Sequence, residues 1–116
     1  MHILEQYVRS LEENPAEISN LFADDGYFYD GGMKMMGWPK CCFTGKTEIH
    51  AAFVKLKCTT GKICLNGAAV RYNVYYNGMV FEAIGVATIN AQDKIQTFVA
   101  ECLPLANANT AAESPS

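Results

Sequence analysis

The dipeptide Asn77-Gly78 lies between two long runs of β-branched and aromatic residues, 68–76 and 79–90, and it limits the fold more than any other feature. Both central positions of a two-residue hairpin need positive φ, which Asn and Gly tolerate and most residue types resist. The two runs are therefore predicted to be neighbouring antiparallel strands. A second turn, Ala91-Gln92-Asp93, leads into a third run at 95–102, and the turn Thr59-Thr60-Gly61-Lys62 precedes a short strand at 63–66. The C-terminal half thus reads as an antiparallel meander.

The N-terminal half has a different period. Ile3, Leu4, Tyr7, Val8 and Leu11 recur at helical spacing, with Glu5, Arg9 and Glu12 off the stripe. Asn14-Pro15-Ala16-Glu17 combines an N-cap residue, proline at the first helical position and Glu at the third, predicting a second helix over 15–22. Asp24-Asp25-Gly26 ends it, and Tyr27-Phe28-Tyr29 opens a strand that closes at Asp30. Side chains alternate across a strand, so Phe28 and Asp30 share one face and Tyr27 and Tyr29 the other. The segment 31–39 (GGMKMMGWP) reads as a loop and 41–43 as a short strand. A third helix is predicted over 46–57, burying Ile49, Ala52, Phe53 and Leu56 and leaving His50 outside.

Helices interleaved with a hairpin and followed by a meander give an α+β fold, with no βαβ alternation to demand a parallel sheet. At 116 residues and 50% hydrophobic content the chain can close a single core. The expected division is one domain over 1–103 and a flexible polar tail over 104–116.

A net charge of -3, with the basic residues scattered, argues against a nucleic-acid or anionic-membrane partner. Neither a leader peptide nor a membrane span is read from the sequence, and the five cysteines are an odd number. They are expected to be reduced thiols in a cytoplasmic protein. Cys41-Cys42 and Cys58-x5-Cys64 do not have the spacing of a zinc knuckle, so no metal site is expected.

Several segments together resemble the nuclear transport factor 2-like superfamily, in particular the SnoaL-like polyketide cyclases and the ketosteroid isomerases. They are Tyr7-Val8-Arg9-Ser10-Leu11, Leu21-Phe22-Ala23-Asp24-Asp25 leading to Asp30, Phe43-Thr44-Gly45-Lys46-Thr47-Glu48-Ile49, and Lys94-Ile95-Gln96-Thr97. The resemblance implies a cone-shaped, curved antiparallel sheet wrapped around three N-terminal helices, an apolar pocket at the open end, and a homodimer through the outer sheet face. Members isomerise, cyclise, dehydrate, hydrolyse epoxides or only bind ligands, so the fold alone assigns no reaction.

By position, Asp30 matches the aspartate that shuttles a proton at carbon, and Tyr7 the tyrosine of the oxyanion hole. In ketosteroid isomerases that hole also contains a protonated carboxylic acid. Gly85 stands at the position of this acid, which argues against steroid isomerisation. Glu82, three residues earlier, has outward parity and does not replace that acid, and the outward parity of Arg71 argues against an epoxide hydrolase, which would need two acidic groups bridged by an arginine.

The remaining candidates come from strand parity. Tyr72 and Tyr76, then Phe81, then Phe98 and Cys102 share the face of Phe28 and Asp30, and with Trp38 they are the expected substrate-binding wall. Ala83, Gly85 and Ala87 would leave room for a ligand, although Gly85 also suits a bend. Met33, Met35, Met36 and Trp38 suit either a lid or an interface. Two functions follow: a cofactor-independent enzyme with Asp30 as base, acting on a small apolar molecule, or a non-catalytic ligand-binding or dimerisation module. The bland alternative for Asp30 itself is a turn-capping carboxylate before Gly31-Gly32.

Overall fold

A computed structural model describes residues 1–107. Helix α1 (Ile3–Glu13) buries Leu4, Tyr7, Val8 and Leu11 of the predicted stripe, with Ile3 partly buried against the core. Its N-cap is His2, whose Nδ1 accepts from the Leu4 amide at 3.1 Å. Pro15–Leu21 follows as a 3-10 helix rather than the expected α-helix. Seven residues that include Ser19 and Asn20, whose side chains compete for backbone hydrogen bonds, do not sustain α-helical pairing.

Strand β1 (Phe22–Asp30) starts five residues earlier than predicted. Asp24-Asp25-Gly26 does not interrupt it; the segment is absorbed as an irregularity in its pairing between Phe22 and Tyr27. A single helical turn, α2 (Gly32–Met35), stands where a loop is expected. Strand β2 (Cys42–Thr44) and helix α3 (Lys46–Phe53) come next, α3 stopping four residues short of expectation. The chain must leave it early because strand β3 (Thr59–Asn66) already pairs with the far end of the next strand from Thr59 onward.

Strands β4 (Ala69–Tyr76) and β5 (Met79–Ile89) form the predicted hairpin, with Asn77 at φ 50 and Gly78 at φ 76. Strand β6 (Ile95–Asn107) is longer than expected. Residues 104–107, assigned by sequence to the polar tail, instead extend the ladder, with Ala106 and Asn107 opposite Val80 and Met79. The remaining tail, 108–116, lies outside the described residues.

The six strands lie in the order β2-β1-β6-β5-β4-β3. The α+β class is as expected, and the sheet is mixed rather than purely antiparallel. β1 and β6 run parallel, while all other neighbours are antiparallel. A parallel contact requires a long connection, and here it is everything between the first and last strands. The helices cover one face of the sheet, α1 against β3 and β4 and α3 against β1 and β2.

Candidate functional site

The register places inward-facing residues in rows across the sheet. One row is Phe43-Phe28-Phe98-Ala87, and the next is Asp30-Ala100-Gly85-Val70. The third is Cys102-Ala83-Tyr72. From the helix layer Tyr7 meets this surface, its ring centroid 4.5 Å from Phe98, 6.3 Å from Phe28 and 6.4 Å from Tyr72. Strand parity therefore brings together Asp30, Phe28, Tyr72, Phe98 and Cys102, and Tyr7, assigned by resemblance, joins them from α1.

Asp30 is 7% exposed at the end of β1. Its Oδ1 accepts from the Gly32 amide at 2.8 Å and from the Cys102 thiol at 3.5 Å. Neither contact involves Oδ2, which is left as the unengaged oxygen. Burial pushes the carboxyl up to about 6, the two donors to Oδ1 pull against that rise, and Glu101 adds to it. No Lys, Arg or His contributes. Asp30 is thus a buried acid without a counter-charge, ionised at neutral pH and close to its midpoint just below it. The predicted turn cap is real, but it occupies only one oxygen.

Tyr7 is fully buried, and its hydroxyl has no hydrogen-bond partner. Burial raises both the Tyr7 and Tyr72 phenols well above their ordinary value, and the charge of Asp30 raises them further. Both phenols are proton donors at any pH where Asp30 titrates.

The room expected at Gly85 is already filled. The Phe98 ring lies against Gly85 so closely that even a methyl group there would overlap it. An acid at this position would have no space while Phe98 keeps its place.

No family model matches the sequence, and no curated protein matches it. Among solved structures the chain is similar to an uncharacterised protein with a cystatin-like fold from Silicibacter pomeroyi: TM-score 0.64, 16% identity, covering 97% of this chain and 82% of that one. It is also similar to a protein provisionally named a ketosteroid isomerase from Kribbella flavida, with TM-score 0.63, 10% identity and coverage of 87% and 75%. A SnoaL-like protein of unknown function from Burkholderia thailandensis gives TM-score 0.58, 12% identity and coverage of 88% and 91%. The fold is nuclear transport factor 2-like. At these identities the likeness establishes the architecture and leaves the chemistry to the residues.

Within this nuclear transport factor 2-like sheet the other candidates lie apart from Asp30. Phe81 belongs to the next row, opposite Val74, and Tyr76 is half-buried beside the hairpin. Tyr76 is two further two-residue steps along β4 from Tyr72, about 13 Å at the usual strand rise. Trp38 lines a cleft of about 240 Å³ with Lys40, Phe43 and Ala52, and Asp30 is not part of its wall. Of the methionines, Met33 is buried in the same core cluster as Tyr7 and Phe28, whereas Met35 is exposed.

The sequence reading missed why Gly31 and Gly32 follow Asp30. Neither is in the positive-φ region. A methyl group on Gly31 would come within 2.9 Å of the Glu101 carboxylate, and one on Gly32 would overlap the Cys102 sulfur. Adjacent glycines in a turn that does not need their φ freedom are the signal for such close approach. Among the described residues no group of three His, Cys, Asp or Glu could hold a metal ion, and no helix is long and apolar enough to cross a membrane. The five cysteines are free thiols.

Proposed function

We propose that this chain acts as one nuclear transport factor 2-like domain and is a SnoaL-like enzyme of isomerase, cyclase or lyase type. In this reading Asp30 takes a proton from carbon of a small, largely apolar substrate, without a cofactor. The observation that carries it is the unengaged Oδ2 of a buried carboxylate whose other oxygen is held by Gly32 and Cys102. Such a group is ionised near neutral pH, and desolvation makes it a stronger base than a solvated carboxylate.

Tyr7 and Tyr72 supply neutral donors for negative charge that develops on a substrate oxygen. An oxygen seated beside Tyr7 would give its hydroxyl the acceptor that the folded chain does not provide. The aromatic surroundings, Phe28 and Phe98 among them, favour an apolar substrate body. With Gly85 and Phe98 in place of a neutral acid, the donor pair differs from that of a ketosteroid isomerase. Free thiols suit a reducing cytoplasm as the setting.

Turnover of small ketones and related carbon acids, measured for the wild type and for Asp30→Asn, tests this reading. A rate loss of at least 100-fold is expected (about 10²–10⁴ for a general base), and an unchanged rate removes Asp30 as the base.

One observation favours a second role, with or without catalysis. The outer sheet face carries Ile84, Val86, Val99 and Leu103, between 44% and 62% exposed and close together in the β5–β6 register. This is the surface through which we propose that the chain forms a homodimer.

A further inference from the structure

β6 reaches the Asp30 turn from both sides of the sheet with two consecutive residues. Glu101, on the outer face, lies against Gly31, and Cys102, on the inner face, lies against Gly32 and Asp30. A side chain at Gly32 would meet the Cys102 sulfur and Cβ and hold β6 away, so the sulfur could not then stay 3.5 Å from Oδ1, whereas one at Gly31 would displace only the end of the exposed Glu101 side chain. The Gly32 amide, 2.8 Å from the same oxygen, completes the arrangement. The Asp30 amide also donates to the Cys41 carbonyl at 2.9 Å, so the backbone is fixed on the opposite edge of β1.

We propose that Cys102 is a positioning residue for Asp30: its S–H, together with the Gly32 amide, occupies Oδ1 and so assigns Oδ2 as the oxygen that faces the ligand. The inference rests on the reading of Asp30 as a ligand-facing group and adds to it a reason for a cysteine at this place. Thiols are weak donors, which leaves the carboxylate basic; a strong donor such as a guanidinium would hold it well below the neutral range. The donor also persists. Burial and the adjacent Asp30 charge push the Cys102 thiol up, so S–H stays protonated over the whole range in which Asp30 titrates.

The groups that face Asp30 from the surrounding elements are few. They are Tyr7 from α1, Tyr72 from β4 and Cys102 from β6, with the backbone of Cys41 and Gly32; Glu101 of β6 and Tyr29 of β1 act on it from the outer face. Of these, Cys102 and Glu101 act on its ionisation with opposite sign, Cys102 favouring the charged form and Glu101 opposing it. Burial and the Gly32 amide act most strongly on the midpoint, and these two adjacent residues of one strand adjust it from opposite faces.

The test is a carbon-13 carboxyl titration of Asp30 by NMR in the wild type and in Cys102→Ala, Cys102→Ser and Glu101→Gln, with folding checked by amide spectra. Loss of the thiol should raise the Asp30 midpoint by about half a unit, the scale of a weak donor to a charged group. Serine should return it to the wild-type value or below, because O–H is the better donor, and Glu101→Gln should lower it. If Cys102→Ala fails to fold, Cys102→Ser and Glu101→Gln still carry the comparison. An unchanged midpoint in a folded alanine variant, or a serine midpoint above the wild type, overturns the proposal. The titration needs no substrate, so it can succeed even if Asp30→Asn turns over normally, and the two failures remain distinguishable.

Discussion

Asp30 is held at a cost, and the cost has a sign. Its folded midpoint, about 6, lies above the ordinary value of 3.8, so the folded chain prefers the protonated acid. The stability this contributes is complete below about pH 3.8 and is lost as pH rises through about 6. The loss is on the order of 3 kcal/mol at 1.36 kcal/mol per unit. Asp30→Asn should therefore be more stable than the wild type at pH 7.5 and lose that advantage near pH 4, as read by urea denaturation at both pH values. Activity should run the other way, rising with pH through about 6 as the base ionises. Tyr7 carries a related burden, a buried hydroxyl without a partner, for which the usual penalty is about 1–3 kcal/mol. Tyr7→Phe should leave stability unchanged or raise it by about 1 kcal/mol, while turnover falls if the hydroxyl serves substrate. Gly85→Ala is the opposite case: its methyl overlaps Phe98, and a loss of about 1–3 kcal/mol is expected from thermal or urea melts.

At the scale of elements, strand parity was the most legible part of the sequence. Period-two alternation placed Phe28, Asp30, Tyr72, Phe81 and Phe98 on the buried face, and Asn77-Gly78 gave the hairpin and its positive φ angles. Boundaries were less legible, because pairing partners decide them. β1 begins at Phe22 because Ile95 is there to pair with it, and β6 continues to Asn107 because β5 extends beside it. Local composition, polar and small in both places, argued otherwise. The parallel β1–β6 contact and the closeness of Phe98 to Gly85 were not legible, since each depends on residues far apart in sequence. A chain truncated after residue 103 tests the revised boundary. It should melt several degrees lower than one ending at 107, having lost the backbone pairs to Met79, Val80 and Phe81.

For the whole molecule, the outer sheet face makes a separate claim. Val86, Val99 and Tyr29 are neighbours across three strands, with Ile84 one row away. Val86→Lys should turn a dimer into a monomer in sedimentation experiments at micromolar concentration; a monomeric wild type would refute the assembly itself. The proposed dimer face and Asp30 lie on opposite sides of the same sheet, so the variant should keep the Asp30 titration. The parallel pairing of the first and last strands also governs the order in which the site comes into being. Asp30 and Cys102 are 72 positions apart, and contacts that span so much chain must meet their loop-closure entropy before they return any stability. Helices and the central hairpin can form from local contacts, but the carboxylate stays hydrated, with its ordinary acidity near 3.8, until β6 closes against β1. The chemistry of the site is therefore expected to arise late in folding, and the rate at which Cys102 loses reactivity toward alkylation during refolding should coincide with the slowest folding phase.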